Sequence, residues 1–198
     1  MRVFVAVVPP AEVLEDLEEF LEPRREAAEF RWTLPEQWHL TLAFAPAVAE
    51  RHLDDLVERL ERAAHRRTPF DLRVAGGGAF PGPDRARVVW AGVVADEAAS
   101  TELSRLATGA RAAAAKAGAE VDGGRFKPHL TLARLGRPGE VSDWVRLFGA
   151  YAGPTWTVDE ITLIESHLGE GPRRRPRHEV LQTFPLGGRG RGRGPVSV

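Results

Sequence analysis

Cysteine is absent from the 198 residues, which excludes disulfides, zinc–thiolate sites, iron–sulfur clusters and thiol nucleophiles together. Any catalysis must run on His, carboxylate, Ser, Thr, Lys or Arg. Lysine is scarce as well, two against 25 arginines, a bias that abundant Ala and Gly mark as GC-rich coding. No run of 18 uncharged apolar residues exists, so no membrane-spanning helix is expected. The apolar start ends at Pro9-Pro10, too early for a secretion signal. These absences predict a soluble cytoplasmic protein. Net charge is also small, −1 overall, but it divides unevenly: residues 1–100 carry 12 basic and 18 acidic side chains, and 101–198 carry 15 and 10. From Gly171 onward seven arginines face Glu179 alone, so the end of the chain is suited to a polyanion.

What is present is globular: 43% hydrophobic and 28% charged residues supply a core and a solvated surface. Residues 1–8 predict a buried strand, and residues 11–29 a helix that Pro23 kinks or ends. A strand over residues 38–44 and an amphipathic helix over 50–67 follow. Strands at 70–75 and 87–94 are separated by residues 76–83, rich in Gly and Pro and read as a loop. Then come a helix over 98–117, a strand over 127–135, a shorter helix over 141–151, and strands over 155–165 and 179–186. This mixed order predicts one α+β domain over residues 1–186, with a disordered Gly/Arg-rich tail at 187–198.

One repeat stands out. His39-Leu40-Thr41-Leu42-Ala43 recurs as His129-Leu130-Thr131-Leu132-Ala133, 90 residues later and again in a predicted strand. Chance would produce such a pentapeptide with a probability on the order of a few per cent. In a strand, residues two apart share a face, so each copy shows His and Thr on one side and buries two leucines on the other. Two equivalent lobes packed about a pseudo-twofold would bring two imidazoles and two hydroxyls to one cleft. That set can split a phosphodiester without metal: one neutral imidazole accepts a proton, one imidazolium donates a proton, and the hydroxyls bind phosphoryl oxygens. Packing alone would preserve the leucines and leave the outward positions free.

These residues resemble the two-histidine phosphoesterases, and within them the bacterial and archaeal LigT-like RNA 2′,3′-cyclic phosphodiesterases, formerly 2′-5′ RNA ligases. Their hallmark pair of H-x-T-x motifs is matched by His39–Leu42 and His129–Leu132. Residues 1–6, Arg31-Trp32 through Trp38, Phe80-Pro81 with residues 87–92, Phe126-Lys127-Pro128, and the last strands through Leu186 are similar to the family's surroundings of those motifs. The resemblance implies a bilobal α+β fold of duplicated β-α-β-α-β units, with antiparallel sheets facing a central cleft. It implies no cofactor and no metal, and it makes His39 the proton donor and His129 the proton acceptor, with Thr41 and Thr131 on the phosphate. The expected substrates are RNA ends carrying a 2′,3′-cyclic phosphate. Small cyclic or 2′-5′ nucleotides, and an RNA-binding module without turnover, are the alternatives. A monomer is expected.

Further residues flank the motifs. Arg134 follows His129 by five, an odd separation that turns it to the opposite face unless a bulge or the strand's end intervenes; the resemblance implies that it contacts phosphate or base. Phe44 holds the matching place after His39, to stack on a base or pack in the core. Lys127 shares the face of His129 and would add positive potential. His52, His65, His167 and His178 lack a repeat partner and ligand spacing and read as surface or structural. Residues 173–177, Arg-Arg-Arg-Pro-Arg, and the arginines of the tail are candidate contacts to RNA phosphates.

Overall fold

The computed structural model describes residues 1–187. The expected Gly/Arg-rich tail lies outside the described residues except for Gly187, whose N–H donates to the Ala64 carbonyl (3.3 Å).

The apolar opening forms β1 (Val3–Val7), buried at all five positions. Pro9-Pro10 stops it, and the Pro10 carbonyl accepts the N–H groups of Val13 and Leu14, starting α1 (Ala11–Leu21). Val13, Leu17 and Leu21 make its buried stripe, and a 3₁₀ segment, Glu22–Ala27, takes over at Pro23, where an α-helical hydrogen bond would be lost. A two-residue strand, β2 (Arg31–Trp32), precedes β3 (Leu40–Ala45). In α2 (Leu53–His65), Leu56, Leu60 and Ala64 face the core. Asp96 accepts the Ala99 N–H (2.7 Å) and so caps α3 (Glu97–Lys116), whose alanines allow close packing. The second motif opens β6 (His129–Gly139), and α4 (Ser142–Phe148) follows.

Two expectations are corrected. Residues 76–80 are not loop, because β4 runs unbroken from Phe70 to Phe80 beside β5 (Ala86–Val94). Gly76 takes φ +68°, absorbing a register shift, and a Cβ on Gly78 would stand 2.3 Å from the Trp90 ring. Glycine here serves close approach within a strand rather than a turn. The single strand expected over 155–165 is two, β7 (Ala152–Val158) and β8 (Glu160–His167), which lie in different parts of the sheet. β9 (Arg177–Pro185) closes the described chain.

The nine strands of the described residues join one antiparallel sheet in the order β7-β4-β5-β6-β3-β1-β8-β9, with β2 also on β6. The expected bilobal α+β architecture is present, its lobes meeting at the seam between β3 and β6. Outward from that seam the strands run β3, β1, β8, β9 on one side and β6, β5, β4, β7 on the other. Helices α2 and α3 cover the first side, and α1 and α4 the second. Leu40, Leu42, Leu130 and Leu132 point into this helix-covered core, all at 1% exposure or less. The opposite face of the motif strands is left open.

Candidate active site

At the seam, Leu40 and Leu130 are the paired residues. Carrying that antiparallel register one step each way sets His39 beside Thr131 and Thr41 beside His129. The pseudo-twofold therefore crosses at this leucine pair. Each motif strand also holds a β-bulge at the same place. Val5 and Ala6 of β1 pair with Ala43 and Thr41, skipping Leu42; Val89 and Trp90 of β5 pair with Ala133 and Thr131, skipping Leu132. An unpaired residue resets the alternation. Phe44 and Arg134 thereby regain the faces of His39 and His129 despite their odd separation, and both line one cavity of about 670 Å³.

The two histidines are clamped alike. Nδ1 of His39 donates to the Gln37 carbonyl (2.7 Å), and Nδ1 of His129 to the Lys127 carbonyl (2.6 Å), each two residues back. A carbonyl only accepts, so Nδ1 carries the hydrogen and Nε2 is the lone-pair nitrogen of the neutral ring. On neutral His39 that nitrogen accepts from the Thr41 hydroxyl (3.0 Å).

Their surroundings differ. Phe4 stacks on His39 with ring centroids 4.5 Å apart, and His178 meets His39 edge-on at 5.6 Å. Burial lowers the His39 pKa to about 4 against the opposing pull of the Gln37 carbonyl, and positive charge on His178, His129 and Arg134 lowers it further. His129 is half-buried, with Phe80 edge-on at 4.9 Å and Trp90 at 6.0 Å; burial lowers its pKa too, with Arg134 adding to the effect. Gly78 leaves the space in which Trp90 lies, so the glycine-rich part of β4 supports this wall.

His39, Thr41 and Thr131 reach the cavity wall together with Phe4, Phe44 and Arg134. The Arg2 guanidinium covers the Phe44 ring at 4.5 Å. Lys127 contributes its carbonyl to His129, while its ammonium lies 5.6 Å above the Phe80 ring. His178, expected as surface or structural, also lines the cavity: on β9 it pairs with Ser166 of β8, and both face inward. Only strand alternation in β9 could have signalled it. Among residues 173–177 the arginines divide: Arg174 and Arg175 line the cavity, whereas Arg177 donates to Glu170 (2.9 Å) and Glu179 (3.2 Å).

A family model described as the 2'-5' RNA ligase superfamily matches residues 5–170. The chain belongs to the 2'-5' RNA ligase superfamily. A relative from Archaeoglobus fulgidus named RNA 2',3'-cyclic phosphodiesterase is 34% identical over 185 residues, 93% of this chain and 99% of that one. One of the same name from Thermus thermophilus is 33% identical, covering 95% and 91%. With such relatives the chain is an enzyme, a hydrolase. Among solved structures, a protein of Thermus thermophilus matches with a TM-score of 0.76 at 32% identity over 96% of this chain and all of that one. Escherichia coli LigT complexed with 3'-AMP matches with a TM-score of 0.73 at 26% identity, covering 93% and 97%.

One group of side chains in this superfamily member has metal-ligand geometry among the described residues: Glu165, His167 and Glu179, with ligand atoms within 4.8 Å of one another. Glu165 and His167 flank the inward Ser166 and so alternate away from the cavity. His167 lies 3.0 Å from Glu179, which also accepts from Arg177, so the cluster is joined by hydrogen bonds among its own side chains. Among the described residues no helix is long and apolar enough to cross a membrane.

Proposed function

We propose that the enzyme hydrolyses RNA 2′,3′-cyclic phosphate ends to 2′-phosphomonoesters without a metal, acting as a cytoplasmic monomer. The observation that supports this most directly is the repeated clamp, a backbone carbonyl two residues earlier holding Nδ1 of His39 and of His129, which leaves Nε2 as the lone-pair nitrogen of each neutral ring. The curated relatives that carry this reaction in their names support the substrate.

In the proposed step a water oxygen attacks phosphorus, and Nε2 of His129 takes a proton from that water. The bond from phosphorus to the ribose 3′ oxygen breaks as protonated His39 donates its Nε2 hydrogen to that oxygen. Thr41 and Thr131 donate to the nonbridging oxygens, where charge builds in the transition state. Phe44 and Arg134 hold the terminal base and phosphate. Afterwards His129 loses and His39 gains a proton through solvent, restoring the start.

His39 must be protonated for this, and burial opposes it. The substrate itself provides the remedy: an anion about 4 Å away stabilises an imidazolium by about 4 kcal/mol at an effective dielectric of about 20. That is roughly three pH units, enough to lift His39 from about 4 to near neutrality once the phosphate is bound.

The test is a short RNA ending in a 2′,3′-cyclic phosphate, incubated with enzyme in excess EDTA. Product with a 2′-phosphate, identified by mass and phosphatase sensitivity, is expected. Loss of turnover on chelation, restored by zinc, manganese or magnesium, refutes the metal-free step.

A further inference from the structure

The cavity holds more positive charge than one cyclic phosphate requires. Arg2, Arg31, Arg134, Arg174 and Arg175 all line it, against one carboxylate, Asp122. Among the described residues none of the five makes an ion pair, and Nε of Arg2 is buried without a hydrogen-bond partner. Arg177, in the same run, is by contrast neutralised by Glu170 and Glu179.

The segment bearing Arg174 and Arg175, between β8 and β9, is held in an unusual shape. Arg173 and Arg174 take φ of 54° and 60°, left-handed conformations that side chains other than glycine disfavour and that persist where neighbours enforce them. Three hydrogen bonds do so: Gly171 N–H to the Arg175 carbonyl (2.8 Å), Gln37 Nε2 to the Pro176 carbonyl (2.6 Å), and Arg31 to the Arg174 carbonyl (3.4 Å). Gln37 is also the residue whose carbonyl clamps His39, and Arg31 pairs across β2 and β6 with Arg134. The strap is thus tied to the reacting centre from two sides.

We infer that Arg31, Arg174 and Arg175 form a second phosphate subsite, which binds the phosphate on the 5′ side of the nucleotide whose cyclic end reacts. The favoured substrate is then an oligonucleotide, or at least a 5′-phosphorylated nucleotide, rather than a cyclic nucleotide bearing one phosphate. The inference rests on the proposed reaction at His39 and His129. It adds that a phosphate which does not react determines which ends are used.

The minimal experiment compares a nucleoside 2′,3′-cyclic phosphate with and without a 5′-phosphate. For the wild type, the added phosphate should raise kcat/KM by about tenfold or more, as a charge-assisted contact of this kind does. Arg174→Gly, which suits the left-handed backbone, combined with Arg175→Ala should erase that gain through KM and leave the 5′-hydroxyl substrate unchanged. For oligonucleotides the same variant should flatten the salt dependence by about 0.7 per lost contact in the slope of log affinity against log salt. Equal losses on both substrates, no loss on either, or the same loss from Arg173→Gly outside the cavity would overturn the subsite. Calorimetric binding of a 3′-phosphorylated dinucleotide separates this from the reaction. A tenfold weaker complex in the variant supports the subsite even if the wild type hydrolyses neither cyclic substrate, an outcome that would refute the reaction alone; equal affinities refute the subsite.

Discussion

His39 and His129 hang from matching strands, each held through Nδ1 by a carbonyl two residues earlier and each followed by a bulge at a buried leucine. Around His39 stand Phe4, Thr41 and His178; around His129 stand Phe80, edge-on, and Trp90, tilted, with less burial. A repeated backbone supplies two imidazoles in mirrored orientation. Different neighbours bury the two rings to different depths, which leaves His39, the proposed donor, the harder ring to protonate until a phosphate is bound. The lesson is that duplication creates the pair, whereas divergence at β1, β4, β5 and β9 makes its two members unlike.

The most damaging way to break this pairing is to remove either ring. His39→Ala and His129→Ala should each lower kcat by at least about 100-fold in initial-rate assays. The double variant should be little worse than the poorer single one, since neither ring completes the reaction alone. A near wild-type rate in either single variant would end the two-histidine account.

The hydroxyls come next. Thr41→Val and Thr131→Val should cost roughly tenfold to a hundredfold in the single-turnover rate through lost contacts to the phosphoryl oxygens. Thr41→Val should be the worse, because Thr41 also bonds His39 Nε2 whereas β6 shows no such bond on His129. Equal losses would mean that the observed asymmetry has no bearing on the chemistry.

A smaller effect is expected in the pH profiles. Burial lowers both histidines below their usual 6.5 in the empty enzyme, so as pH rises through the higher of the two values the single proton that the reaction needs is lost. The kcat/KM curve should accordingly begin its alkaline decline below pH 6.5. Bound phosphate raises the histidines, so the decline in kcat should begin at higher pH. Coincident declines would show that substrate charge does not retune the pair.

Much of this was legible in the sequence because the repeat lies in strands whose alternation is strict: buried leucines and outward His and Thr follow from period two alone. What escaped was whatever depends on a partner strand. Arg134 and Phe44 could not be assigned to a face, since a bulge is defined by the residue it skips on β1 or β5. Gly76 and Gly78 read as loop because composition does not reveal a tryptophan ring lying against a strand. His178 carries no motif and enters the cavity only through its pairing with Ser166. Residues 155–165 read as one strand since Asp159, where the chain passes to the other lobe, has none of the Gly or Pro that usually marks a break.

The strand order has a consequence for how the molecule comes together. Divided at the 3₁₀ turn Pro83–Arg85, the first part of the chain holds β1 and β3 in one lobe but sends β4 into the other, while the second holds β5 and β6 in its own lobe and returns β8 beside β1. Helices α1 and α3, each following the first strand of its part, likewise pack across the divide. The enzyme is built as an interlocked dimer whose subunits are joined end to end. Neither part alone closes a sheet, and each would leave bare edges that invite association. Cutting the chain at that turn should therefore not release two half-enzymes: nicked protein would stay together, and two separately made fragments would have to find each other before either histidine met its counterpart.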